Sequence, residues 1–96
     1  MNASEYLIAR LAEEGIDTAF VVQGGAMNSI LFAIADHPKM RYTCAGHEQG
    51  AGFAAEGYAK AKADGTPGLA LATSGPGAQN LLTAVANCFF ASVPVL

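Results

Sequence analysis

The sequence predicts an α/β fold, a parallel sheet with helices on both faces, truncated after about three to four strands. Short β-rich runs alternate with helical stretches along the chain, the signature of βαβ units. Each run ends in a glycine-bearing turn, at Gln23-Gly24-Gly25, at Gly46 and at Ser74-Gly75-Pro76-Gly77. The third run, Leu69 to Ala72, is continuously apolar, as a strand buried on both faces must be.

The elements follow in order. Asn2 with Glu5 is an approximate capping box, and Leu7, Ile8 and Leu11 form one apolar stripe that stops at Gly15, which marks a first helix. Thr18–Val22 is a strand, the Gln23-Gly24-Gly25 turn follows, and Ala26–Ala35 has helical length and spacing. The cycle repeats with Met40–Cys44 as a strand, Gly46 as the turn, and an Ala-rich helix from His47 to about Lys62, closed by Asp64-Gly65. It repeats again with Gly68–Ala72 as a strand, the turn at residues 74–77, and a helix from Ala78 to about Phe90. Val93–Leu96 reads as the opening of a fourth strand, so the chain is expected to end inside a fold and to expose an open sheet edge. In isolation it is expected to fold marginally or to self-associate.

Composition narrows the function. Hydrophobic residues make up 52% of the 96 and charged residues only 14%, against about 25% charged in an ordinary soluble domain. Every Lys, Arg, Asp and Glu lies at or before Asp64, so residues 66–96 read as interior, covered by further chain or by a partner subunit. A membrane span needs about 20 consecutive apolar residues, and Thr73–Gly77, Gln79-Asn80, Asn87 and Pro94 interrupt any such run. The net charge of −3 and the lack of a Lys/Arg cluster exclude a nucleic-acid surface. Cys44 and Cys88 have no metal-like spacing and no basic-then-apolar leader precedes them, so both are expected to be reduced core thiols in a cytoplasmic protein.

Ligands of open parallel sheets bind outside the carboxyl ends of the strands, and the three turns line that rim. Each glycine turn has a plain structural reading, Gly24-Gly25 as a turn that needs positive φ and Gly75-Pro76-Gly77 as a strand-to-helix turn. Residues 75–80 lack the last glycine of G-x-G-x-x-G, and no P-loop Gly-Lys-Ser/Thr occurs. His47-Glu48 does not extend to a zinc-protease H-E-x-x-H, because Ala51 stands where the second histidine belongs; no metal ligand is expected in this chain. Glu48 is the residue with chemical potential. It is either a helix-start carboxylate facing water and favoured by the macrodipole, or a carboxyl group desolvated by small apolar neighbours and disposed to share a proton.

The run His47-Glu48-Gln49-Gly50-Ala51-Gly52-Phe53-Ala54-Ala55-Glu56-Gly57-Tyr58-Ala59, followed by Thr73-Ser74-Gly75-Pro76-Gly77-Ala78-Gln79-Asn80, closely resembles the N-terminal pyrimidine-binding domain of acetolactate synthases and related thiamine-diphosphate-dependent 2-keto acid enzymes. Val22–Ala26 looks like the first glycine turn of that family, and the likeness runs from Ser4 to Leu96. The resemblance implies a thiamine-diphosphate-binding fold, with residues 1–96 the incomplete N-terminal part of the pyrimidine-binding domain, and a homo-oligomeric lyase or carboligase acting on a 2-keto acid. It implies that Glu48 is catalytic, hydrogen-bonding N1' of the aminopyrimidine so that the 4'-nitrogen can take the thiazolium proton. Gly24 and Gly25 would let backbone approach the pyrimidine, and Pro76 and Asn80 would sit beside the ring. Diphosphate and Mg2+ would be held by a separate domain absent from this chain, in a site shared between subunits, with the uncharged helix at residues 78–90 facing the dimer partner. The motifs say nothing of flavin (FAD).

The chain departs from the acetolactate synthase pattern where Val22-Gln23 replaces Tyr-Pro and Gln79 replaces Thr, which implies a different 2-keto acid or acceptor. A non-catalytic α/β binding or interaction module that kept the fold is the alternative reading. A flavodoxin-like receiver domain is a more distant one, since its first strand would end in acidic residues and Phe20-Val21-Val22 has none.

Overall fold

The structure is a computed structural model that describes residues 1–96. The capping box forms: Asn2 Oδ1 accepts from the Glu5 N–H at 2.8 Å and Glu5 Oε2 accepts from the Asn2 N–H at 3.0 Å, which starts α1 (Ala3–Glu13). There follow β1 (Thr18–Val21), a 3₁₀ turn (Gly25–Met27), α2 (Asn28–Asp36), β2 (Arg41–Cys44), α3 (Glu48–Lys62), β3 (Leu69–Leu71) and α4 (Pro76–Ala91). The sheet is parallel throughout, in the order β2-β1-β3, with Thr18 opposite Arg41 and Ala19 opposite Leu69. At residues 94–96 the chain runs beside β3 and makes three backbone hydrogen bonds to it, Gly68 N–H to Pro94 O (3.0 Å), Leu96 N–H to Gly68 O (2.8 Å) and Ala70 N–H to Leu96 O (2.9 Å). These begin a fourth parallel strand.

Alternation along β1 and β3 divides the two faces. Ala19, Val21 and Leu69 join Ile8 of α1 and Leu31 and Ile34 of α2 in one core cluster. On the opposite face the Phe20 ring meets the edge of Tyr58 on α3, with centroids 5.7 Å apart, and Gly68 lies directly against the Ala55 carbonyl. A Cβ on Gly68 would sit 2.1 Å from that oxygen. The far end of α3 is tied down as well. The Tyr58 hydroxyl donates to Asp17, Thr18 Oγ1 donates to the same carboxylate at 2.9 Å, and Lys62 Nζ lies 3.6 Å from it. These partners, the Tyr58 hydroxyl first, hold the Asp17 carboxyl below its ordinary 3.8 despite partial burial. A depressed carboxylate adds stability that is present above that ordinary value and lost as pH falls through the lowered one.

Two expectations are corrected, for Cys44 and for the residues that close α3. Strand β2 is exposed at all four residues, because it is the sheet's edge and only one neighbour covers it. Cys44 is therefore an exposed residue and not a core thiol, while Cys88 is buried; both are free. Helix α3 ends in a left-handed Ala63 (φ 56) and not at Asp64-Gly65, where the Asp64 carboxylate instead accepts from the Thr66 N–H. Within residues 66–96, Leu69 and Ala70 of β3 are buried, while Leu82, Val85, Phe89 and Phe90 of α4 are exposed on this chain, apolar surface of the kind expected to be covered by further chain or by a partner. No helix is long and apolar enough to cross a membrane.

Two glycine substitutions separate close approach from backbone freedom. Gly68→Ala drives a methyl into a backbone carbonyl that cannot yield, and should destabilise this domain by about 3 kcal/mol. Gly57→Ala, in α3 with nothing within 4 Å of the added carbon, should stabilise it by about 0.5–1 kcal/mol. Thermal unfolding of both variants measures the difference, and a tolerated Gly68→Ala would contradict the packing described for β3 and α3.

Candidate functional site

His47 ends the turn after β2 and starts α3, its Nδ1 accepting from the Gln49 N–H at 3.1 Å. The imidazole is a helix cap. Glu48 is the first residue of α3, and its side chain turns inward toward the start of α4, leaving it 9% exposed. Its Oε1 accepts from Asn80 Nδ2 at 3.3 Å. Its Oε2 has no protein donor and lies 3.5 Å from where a Cβ on Gly77 would stand.

Thr73 joins two of the three turns. A Cβ on Gly24 would approach the Thr73 side chain to between 2.4 and 2.8 Å, and one on Gly77 would lie 2.9 Å from Thr73 Cγ2. Gly24 is extended (φ −161), so it is required by that close approach and not by positive φ. Gly75 does carry positive φ, at 76 with ψ −127, a conformation open to glycine alone, and Pro76 then sets the first turn of α4. Sequence patterns give Thr73 no distinction beyond its place at the end of a strand.

The structure thus brings Glu48 and Asn80 into hydrogen-bonding contact and links Gly24 to them through Thr73 and Gly77. Gly25 and Pro76 stand exposed on the same rim, with open space in front of Gly25. No group of three or more His, Cys, Asp or Glu side chains converges in a way that could hold a metal ion. An apolar cavity of about 290 Å3, lined by residues that include Ala70, Ala84, Cys88 and Val95, lies further along the sheet and does not reach Glu48.

A carboxyl group with one oxygen braced and the other free, beneath a wall that a single methyl would fill, suits an aromatic nitrogen heterocycle that shares a proton. An aminopyrimidine has that chemistry. The open carboxyl oxygen beside Gly77 is compatible with the pyrimidine end of the thiamine diphosphate that the resemblance implies.

Sequence reading passed over the polar groups deeper in the same helix seam. Glu56 on α3 is 7% exposed, and Asn87 on α4 donates to its Oε1 at 2.6 Å and to Oε2 at 3.1 Å. The spacing of Glu48 and Glu56 on one i, i+4 row is the signal that could have found them. Cys88 adjoins this pair, and burial, with the Glu56 charge beside it, pushes its thiol above the ordinary 9.0.

Comparison with known proteins places the chain in a family. The family described as thiamine pyrophosphate enzyme, N-terminal TPP binding domain, matches residues 1–96. The chain is 42% identical to an acetolactate synthase of Mycobacterium avium over 96 residues, 100% of the chain and 15% of that protein. It is 41% identical over 95 residues to acetolactate synthase 2, chloroplastic, of Brassica napus, covering 99% of the chain and 15% of the relative. Against the Nicotiana tabacum acetolactate synthase 2, chloroplastic, the identity is 43% over 99% of the chain and 14% of the relative. The chain therefore spans about 15% of the length of the curated relatives it matches.

Since a thiolate is the species that alkylates, iodoacetamide near neutral pH should label exposed Cys44 at least about tenfold faster than Cys88, with Cys88 catching up only as pH rises. Peptide mass spectrometry reads both rates. Equal rates at neutral pH would show that the seam between α3 and α4 does not shield Cys88.

Proposed function

The chain belongs to the family of thiamine pyrophosphate enzyme N-terminal TPP-binding domains, and on that premise we propose that it forms the N-terminal part of the pyrimidine-binding domain of a thiamine-diphosphate-dependent lyase or carboligase, with Glu48 activating the cofactor. The acetolactate synthase relatives support a 2-keto acid as substrate, and the changes at Val22-Gln23 and Gln79 favour a 2-keto acid or acceptor different from theirs. The observation that carries this reading is the Glu48 carboxyl, buried at the meeting of the turns with Oε1 held by Asn80 and Oε2 unpartnered.

In this reading Glu48 Oε2 holds the proton it shares with the pyrimidine nitrogen N1'. Asn80 braces the carboxyl through Oε1, so that the free oxygen would be the one offered to the ring. Gly77 keeps side-chain atoms out of the space before Oε2, while the backbone at Gly24 and Gly25 and the rigid turn at Pro76 would bound the ring. When bound, thiamine diphosphate supplies the carbon nucleophile and electron sink for decarboxylation. Glu48 is asked only to place and withdraw one proton, a contribution of about 10²–10⁴ in rate for a positioned acid–base group.

The remaining parts lie outside this chain in the same proposal. Mg2+ and the diphosphate are held by a separate domain, the site is completed at a subunit interface in a homo-oligomer, and the exposed apolar side of α4 faces that partner. The proposed compartment is the cytoplasm, although the plant relatives carry the word chloroplastic in their names.

Glu48→Gln in the enzyme at its full natural length preserves shape and can still accept from Asn80, but it cannot pass a proton. Turnover of 2-keto acid should fall by about 10²–10⁴ with the unfolding temperature essentially unchanged. Turnover at the parent level in a folded Glu48→Gln enzyme would refute the role.

A further inference from the structure

The seam between α3 and α4 holds a second carboxylate for which the chemistry above has no use. Glu56 is almost fully buried, yet both of its oxygens are taken up by one amide, that of Asn87, at 2.6 and 3.1 Å. The other groups beside it are the Cys88 thiol and Lys60, the latter 3.7 Å away with a side chain 58% exposed. An ion pair that open to solvent contributes little. Across the seam Glu56 is thus held by Asn87, an exposed residue of α4, with the Cys88 thiol beside it, more than by the charge on its own helix.

Three rungs connect the helices, and they ascend together, so α3 and α4 run in the same direction. Glu48 meets Asn80, Gly52 meets Ala84, and Glu56 meets Asn87. At the middle rung a Cβ on Gly52 would lie 2.3 Å from Ala84 Cβ, so the helices touch there and cannot close further. Glu48 and Glu56 are each four positions from Gly52, an equal arm of about 6 Å on either side at the helical rise.

We propose that the Glu56–Asn87 hydrogen bonds are a positioning device that sets the tilt of α3 on α4 and thereby holds the Glu48 carboxyl in register with the pyrimidine nitrogen. Glu56 and Asn87 are positioning residues, since neither reaches the rim. The inference rests on the role given to Glu48. Its leverage comes from the steepness of catalysis with distance, because a misplacement of about 1 Å can cost about a hundredfold in rate.

The test uses the enzyme at its full natural length. In Asn87→Ala, kcat should fall about tenfold or more while KM for the 2-keto acid moves by less than about twofold. Calorimetric titration of the apoenzyme with thiamine diphosphate and Mg2+ should show a dissociation constant raised about threefold or more. Glu56→Ala should behave as Asn87→Ala does. Glu56→Gln, whose amide oxygen still accepts from Asn87, should keep kcat and cofactor affinity within about twofold of the parent, and Lys60→Ala should do the same. If Asn87→Ala lowers only the unfolding temperature and leaves kcat and the cofactor dissociation constant at parent values, the bond is merely structural and the proposal is overturned. Glu48→Gln measured alongside separates the two failures: an inactive Glu48→Gln beside a normal Asn87→Ala sinks the positioning role alone, whereas an unaffected Glu48→Gln removes the reading on which it stands.

Discussion

The close approach of α3 to both the sheet and α4 sets where the other elements can lie. On one side the Ala55 carbonyl fills the space a side chain at Gly68 would need, and on the other Gly52 gives its space to Ala84. Ala51, Ala55 and Ala59 form one buried row along the helix and Glu48, Gly52 and Glu56 the next. Small residues bring the axes near. With the axes near, side chains as short as Asn and Glu can bridge the seam, and a branched residue at Gly52 would pull both bridges apart.

That geometry accounts for a buried acid in a chain with few charges. A carboxylate in a tight apolar seam is costly unless its oxygens are occupied. Asn87 occupies both at Glu56, whereas Asn80 occupies only one at Glu48. The two sites differ in chemical disposition for that reason: the inner carboxylate is spent on holding the helices, and the outer one keeps an oxygen for something else. Thr73 carries the constraint outward, since it packs against both Gly24 and Gly77 and so locks the turn after β1 to the turn after β3.

Most of the element order was legible because strand, glycine turn and helix follow local rules that need no knowledge of neighbours. The capping box at Asn2 and Glu5 is such a rule, and Pro76 at the start of α4 is another. Errors arose where position in the sheet mattered. Met40–Cys44 was read as a strand, yet nothing local marks it as the edge, so the exposure of Cys44 could not be anticipated. The left-handed Ala63 is equally silent, because alanine carries no preference for that conformation and only tertiary context holds it.

The sequence by itself determined the fold class, the parallel order of units and the singling out of Glu48, because periodicity, turn chemistry and motif spacing are written in neighbouring residues. Only the tertiary structure decided that Gly24 is needed for Thr73 and not for its own backbone angles, and that Glu48 and Asn80 share a hydrogen bond. Likewise only the folded chain pairs Glu56 with Asn87. The physical reason is that burial and hydrogen bonding of a polar side chain depend on what lies across a helix seam, and the partners there stand about thirty residues apart, at |i−j| of 32 and 31.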